Sequence, residues 1–262
     1  MSANVLHNAF SSKCLIAYIT LGDPSVEATL DYAKRMIDAG VGLIEIGIPF
    51  SDPIADGPVI QESHQRALST GQDVSLDAAL CLTQQLKHYA PHIPVVIMAA
   101  TNLVLQFGYE RFFKAADSNG CDGLIMPDCS IEMAQPILSV AKEYDCSIIQ
   151  LISPLCTQER LEKIVKAAEG FIYLISSKGI TGERQSFSSQ LKRIVNNIKR
   201  VKDIPVAVGF GVSTRKQCEE LYEFVDAAIV GSFFTSIIAA NLQDKKTAQD
   251  ELTKAVRLLC GN

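Results

Sequence analysis

Short apolar runs rich in Ile and Val recur along the chain, each followed by a turn signal and then a stretch with helical period. The runs are Leu15 to Leu21, Leu43 to Ile48, Pro94 to Ala99, Gly123 to Met126, Ser147 to Ile152, Phe171 to Ile175, Pro205 to Gly209 and Ala227 to Val230. They lack the polar alternation of a strand with one wet face, so they predict strands buried on both faces, as in a parallel sheet. Between them, apolar residues return at helical spacing. Val26, Leu30, Ala33 and Ile37 share one face, with Pro24 in the first helical turn. Leu161, Ile164, Val165 and Ala168 share another after Thr157, and Leu252, Val256 and Leu259 do so near the C-terminus. Strand and helix alternate without a Pro/Gly/Ser-rich linker or a shift in composition. This predicts one α/β domain over residues 1–262, a single closed (β/α)8 TIM barrel. An extra N-terminal helix from Ala3 to Phe10 would plug its bottom. The rival, an open doubly wound sheet, wants a glycine-rich fingerprint in the first strand-to-helix turn, where this chain has Leu21-Gly22-Asp23-Pro24.

Composition narrows the classes. With 48% hydrophobic and 20% charged residues in 262, the chain has ample material for a core, which excludes a disordered or fibrous protein. A net charge of −5, with its 24 basic residues spread along the chain, offers no positive stripe for nucleic acid. The eight cysteines form no C-x-x-C pair and no tight cluster with histidine, so neither a metal site nor a disulfide framework is expected. They read as reduced, mostly buried thiols in a cytoplasmic protein. The stretch from Lys13 to Gly22 has a charged start and an apolar run, but it ends in Asp23-Pro24 and reads as a strand rather than a leader. No apolar run approaches the ~18 residues of a membrane span.

In a barrel the chemistry sits at the C-terminal ends of the strands. Glu45 is a carboxylate inside an otherwise apolar strand, and period two puts Leu43, Glu45 and Gly47 on the inward face. Burial there raises its pKa and suits a group that both gives and takes a proton; the alternative is a structural ion pair with a Lys or Arg. The loop that follows, Pro49 to Pro58, carries three prolines and the acids Asp52 and Asp56, which are either turn formers or partners of Glu45. Gly209-Phe210-Gly211 after the seventh strand and Gly231-Ser232 after the eighth, both read as opening helices, are candidates to hold a phosphate. Ser176 to Ser189 reads as a long polar loop, either a lid or an ordinary surface segment. His88 and His92 are separated by Pro91 and are not expected to bind metal.

Three strings carry a resemblance: Ile19-Thr20-Leu21-Gly22-Asp23-Pro24, the acidic segment Ile44 to Pro58, and Tyr173 with Gly179-Ile180-Thr181-Gly182 and Gly209-Phe210-Gly211. The chain resembles the tryptophan synthase α-subunit family over essentially its whole length. The resemblance implies retro-aldol cleavage of indole-3-glycerol phosphate to indole and glyceraldehyde 3-phosphate, in the last steps of L-tryptophan biosynthesis. It implies Glu45 as the acid/base and Asp56 as the group facing the indole N–H. Tyr18, Met98, Ile125, Tyr173, Thr181 and Phe210 would line the substrate site, and Gly182, Gly211, Gly231 and Ser232 would hold the phosphate. It implies no cofactor in this subunit. A β subunit carrying pyridoxal phosphate would be the partner in an α2β2 assembly, facing Asp52, Pro53 and Asn102. The chain departs from the pattern at Ala100-Thr101-Asn102, where many members have an aromatic before the asparagine, and at Ser177-Lys178, where an arginine is frequent. Two other readings are a Schiff-base aldolase using Lys178, and a non-catalytic subunit that binds an indole phosphate.

Overall fold

In the computed structural model of the chain, residues 5–6, 8–175, 184–209 and 211–261 are described, those at 184–188 for their backbone only. Eight parallel strands close into a barrel in chain order: β1 (Cys14–Thr20), β2 (Leu43–Gly47), β3 (Val95–Met98), β4 (Gly123–Ile125), β5 (Ser147–Ile152), β6 (Ile172–Ile175), β7 (Val206–Gly209) and β8 (Ala227–Val230), with β8 hydrogen-bonded back to β1. All eight expected runs are strands. The helices are α1 (Val26–Ala39), α2 (Pro58–Ser69), α3 (Leu76–Tyr89), α4 (Thr101–Phe107), α5 (Tyr109–Asn119), α6 (Ile131–Ala141), α7 (Gln158–Ala167), α8 (Arg184–Val201), α9 (Arg215–Tyr222), α10 (Ser232–Ala240) and α11 (Lys245–Cys260).

The period-two rule separates two cores. Outward residues such as Ile44, Ile46, Val95 and Ile97 join the layer between sheet and helices. Inward residues, among them Ile16, Leu43, Val96, Ile149, Phe171 and Ile229, fill the barrel. Leu6 and Phe10 close the bottom. The Phe10 ring lies 5.3 Å from that of Phe171, and Leu6 reaches over Gly170, where a Cβ would come within 2.5 Å of its Cδ2. Of the expected helix from Ala3 to Phe10, the described part shows one helical bond, from Ala9 N–H to the Val5 carbonyl at 3.2 Å. Residues 3, 4 and 7 lie outside the described residues.

Three local expectations are corrected. Pro24 precedes α1 instead of entering it, because the Ser25 side chain caps the helix by accepting from Ala28 N–H at 3.0 Å. The deepest face of α1 is Ala28, Tyr32, Ala33 and Met36; Val26, Leu30 and Ile37 flank it and are only partly buried. The polar stretch read as a loop to Ser189 is helical from Arg184, since Leu191, Ile194, Val195 and Ile198 bury one face of α8 and the helix extends N-terminally from that anchored stripe.

One device occurs twice, half a barrel apart. Asp122, just before β4, accepts Val95 N–H at 2.8 Å and Lys87 Nζ at 3.1 Å. Asp226, just before β8, accepts Val206 N–H at 2.8 Å and Lys199 Nζ at 2.8 Å. In each case a carboxylate satisfies the first amide of the preceding strand and ties it to the preceding helix. Among the described residues no helix is long and apolar enough to cross a membrane.

The Asp122 side chain is 2% exposed and that of Asp226 is 28% exposed, so water can replace only the latter. Asp122→Ala is expected to lose about 1 to 3 kcal/mol in urea unfolding, the cost of an orphaned buried donor, and Asp226→Ala distinctly less. Equal losses would contradict this account of the strand ends.

Candidate active site

Strand β2 places Glu45 where an acid is least expected. Ile44 and Ile46 take the helix-facing side, so Glu45 points into the barrel, in register with Tyr18 of β1 and Val96 of β3. It is 0% exposed, and neither carboxyl oxygen has a hydrogen-bond partner among the described residues. Among the described residues no Lys or Arg supplies the structural ion pair. Burial disfavours the charged form and pushes the carboxyl up to about 8, with the nearby Asp56 charge acting in the same direction.

Two tyrosines flank this carboxyl, and glycines make room for them. A Cβ on Gly47 would fall 2.5 Å from Tyr18 Cζ, and one on Gly209 would fall 2.9 Å from Tyr173 Oη. Gly231 likewise sits against the Tyr18 ring. Burial holds both phenols well above their usual range, so they are neutral hydroxyls.

Asp56 comes from the loop after β2. Asp56 N–H donates to the Pro53 carbonyl at 3.1 Å, Gln61 Nε2 donates to the Asp56 carbonyl at 2.9 Å, and Pro58 occupies the first turn of α2. The carboxyl is half-buried, and desolvation raises it to about 6. Beneath it, His64 of α2 hydrogen-bonds Tyr18 Oη at 3.1 Å and lies 3.9 Å from Asp56 Oδ2. Arg66 pins the same helix to the turn after β1 through two bonds to Asp23, at 2.9 and 2.8 Å.

These residues surround a cavity of about 450 Å³ lined by Tyr18, Glu45, Asp56, Met98, Tyr173, Gly209, Gly211, Gly231 and Ser232, among others. An apolar pocket of about 250 Å³ adjoins it, sharing Tyr18, Ala55, Asp56 and Met98 and extended by Phe50, Ile54, Ala100 and Pro127. The wall near β8 suits an anion. Gly231, which caps α10, offers no side-chain acceptor to that helix's first amides, so they are open to a ligand. The turn at Gly211 differs from the expectation. It does not open a helix: α9 begins at Arg215, and its first amides are engaged by the Thr214–Gln217 capping box.

Tyr18, Met98, Tyr173, Gly211, Gly231 and Ser232 thus line one cavity with Glu45 and Asp56. Ile125 is fully buried in the barrel interior and is not among the described residues lining either pocket. Thr181, Gly182, Phe210 and Lys178 lie outside the described residues. Asp52 and Pro53 line the apolar pocket, and Asn102 is exposed on α4. Among the described residues no group of three or more His, Cys, Asp or Glu is gathered as metal ligands. Sequence reasoning missed His64, with Thr20 and Ser63 beside it. The signal was available, since Ile60, His64 and Ala67 mark the buried face of α2 at helical spacing.

The family model described as "Tryptophan synthase alpha chain" matches residues 6–260. The chain is 40% identical over 245 residues to the tryptophan synthase alpha chain of Bacillus pumilus, covering 94% of this chain and 90% of that one. It is 41% identical over 225 residues to that of Methanosarcina acetivorans, covering 86% and 80%. A crystal structure of the alpha chain from Legionella pneumophila superposes with a TM-score of 0.86 at 30% identity, covering 98% and 95%. A Pyrococcus furiosus structure described as the tryptophan synthase a2b2 complex does so with a TM-score of 0.86 at 35% identity, covering 95% and 98%.

The raised carboxyl has a consequence for stability. Folded Glu45 keeps its proton up to about pH 8, while the unfolded chain releases it near 4.5, so the folded state holds the extra proton in that window. Stability therefore falls as pH rises from 4.5 toward 8. Glu45→Gln is expected to flatten that slope in urea midpoints measured across the window. Parallel slopes in the two proteins would contradict the assignment.

Proposed function

The chain belongs to the tryptophan synthase alpha chain family, and on that premise we propose that Glu45 and Asp56 cleave indole-3-glycerol phosphate in the cavity at the barrel mouth. The observation that carries the reading is the buried, unpartnered Glu45 carboxyl with a second carboxyl, Asp56, on the wall of the same cavity.

Their different surroundings divide the labour. At neutral pH Glu45, at about 8, holds a proton, and Asp56, at about 6, has lost its own. Glu45 gives its proton to indole C3. The ring becomes an iminium whose positive nitrogen Asp56 stabilises, and this cation is the electron sink for the bond to be broken. Glu45, now a carboxylate, takes the proton of the side-chain hydroxyl. The C–C bond breaks, its electrons restore the indole ring, and the hydroxyl carbon becomes the aldehyde of glyceraldehyde 3-phosphate. Glu45 ends protonated, as it began, so the residues close the cycle by acid–base and electrostatic catalysis alone. No cofactor on this subunit enters these steps. The phosphate takes the open end of α10 at Gly231 and Ser232, and the indole the apolar side toward Met98. Lys178, the lysine of the Schiff-base reading, lies outside the described residues; the inward strand positions supply a carboxyl and no amine, which supports the acid–base reading.

The partner is a β subunit, the bearer of pyridoxal phosphate, in an α2β2 assembly of the kind the Pyrococcus furiosus structure describes. Along the rim at the C-terminal ends of β2 to β5, successive loops and helices supply apolar side chains for it: Ile54 after β2, 86% exposed, Leu105 on α4, Met133 on α6 and Leu155 after β5, 90% exposed. Asp52, Pro53 and Asn102 stand on the same rim. We read residues 1–262 as one folding unit acting in the cytoplasm.

Incubating the chain with indole-3-glycerol phosphate, with and without a tryptophan synthase β subunit, and measuring released indole tests the proposal. Release is expected to rise with the β subunit and to vanish in Glu45→Gln while substrate binding persists. Asp56→Asn is expected to lower turnover about a hundredfold to a thousandfold, as loss of a charge-stabilising group does. Tight binding without indole under any condition would assign the chain as a non-catalytic binding subunit instead.

A further inference from the structure

The steps above leave His64 unused, although it is buried against both Tyr18 and the loop of Asp56. Its Nδ1 accepts the backbone N–H of Phe50 at 3.2 Å, which puts the single proton of a neutral ring on Nε2. The far end of the network requires the same tautomer. Ser63 Oγ donates its only proton to the Ile60 carbonyl at 2.7 Å, so Thr20 Oγ1, 2.6 Å away, must donate to Ser63. Tyr18 Oη, 3.3 Å from Thr20, must then donate to Thr20 and can only accept from His64 Nε2 at 3.1 Å. A hydrogen-bond chain of one direction runs from the Phe50 amide to the Ile60 carbonyl, binding β1, the loop and α2 together. The same Nε2 lies 3.9 Å from Asp56 Oδ2, and among the described residues His64 is the one basic side chain within ion-pair range of that carboxylate.

We propose that His64 is a positioning residue: it anchors the Asp56 loop through Nδ1 and, with its one N–H on Tyr18, turns the positive edge of the ring toward the Asp56 carboxylate. This rests on the reading that Asp56 stabilises the indole cation. The groups that bear on the ring are Tyr18 from β1, Asp52 and Asp56 from the loop, and Asp128 across the apolar pocket, with Glu45 deeper in β2 and Asp23 after β1 acting on Tyr18. Burial holds the ring itself below the usual histidine range, which favours its neutral form. A donor facing a carboxylate favours its charged form.

Two replacements separate the two ring nitrogens. Asparagine can accept from Phe50 but falls short of Asp56, whereas glutamine can present an N–H at the Nε2 position. In His64→Asn the acid limb of the pH profile of kcat/KM is expected to move up by about one unit, and in His64→Gln to return close to that of the parent. Tyr18→Phe removes the competing acceptor and is expected to move the limb down, which keeps the test open should a His64 variant not fold. An acid limb unchanged in every variant, or shifted alike in both His64 variants, would overturn the proposal. Asp56→Asn, run in parallel, isolates the premise: undiminished turnover there would remove Asp56 from the mechanism, whatever the His64 variants do.

Discussion

A buried carboxyl group with no counter-charge among the described residues, set in the mouth of a barrel, is the constraint on which the rest of this structure depends. Taking a carboxylate out of water is costly, so Glu45 keeps its proton unless a reaction removes it. The surroundings maintain that condition. The inward layer beneath is apolar, Tyr18 and Tyr173 stay neutral, and the glycines at 47 and 209 let the two rings close over the strand ends. A cation beside Glu45 would ionise it and end its use as an acid. Among the described residues the cavity walls are hydroxyls, backbone, hydrocarbon and the Asp56 carboxyl, with no cationic side chain.

The second carboxyl gains its role by standing nearer to water. Asp56 ionises about two pH units below Glu45, and its charge in turn helps to keep the Glu45 proton in place. Proton donor and anion are thus set apart by depth in one cavity, and in the proposed reaction the apolar pocket beside it takes the indole. The loop bearing Asp56 is held from below by α2, through the tautomer-specific chain at His64 and the paired bonds of Arg66 to Asp23. The fold enters the chemistry there, because the strand ends and α2 decide where the two carboxyls meet.

Much of this was legible in the residues. The strands were readable because residues buried on both faces leave continuous Ile- and Val-rich runs, and Glu45 stood out because it interrupts one of them. Other features were hidden for physical reasons. Ser25 in place of Pro24 as the start of α1 is a matter of one hydrogen bond, and helix ends are settled at that scale. The extension of α8 to Arg184 follows from tertiary burial of Leu191 and Val195, which outweighs a polar local sequence. His64 was legible as a buried position of α2, but its role was not, because that lies in groups from β1 and the loop that only the closed barrel brings to it. The Gly211 turn was legible as a cavity wall but not as the three-residue approach to a helix that caps itself.

The most direct test of the account is the titration of Glu45 itself, followed by the carboxyl ¹³C resonance of labelled protein and assigned by its loss in Glu45→Gln. A midpoint of about 8 is expected, and a lower one in Asp56→Asn, where the neighbouring charge is gone. A midpoint near the ordinary 4.5 would mean that Glu45 is ionised at neutral pH, and would contradict its assignment as the acid that opens the reaction.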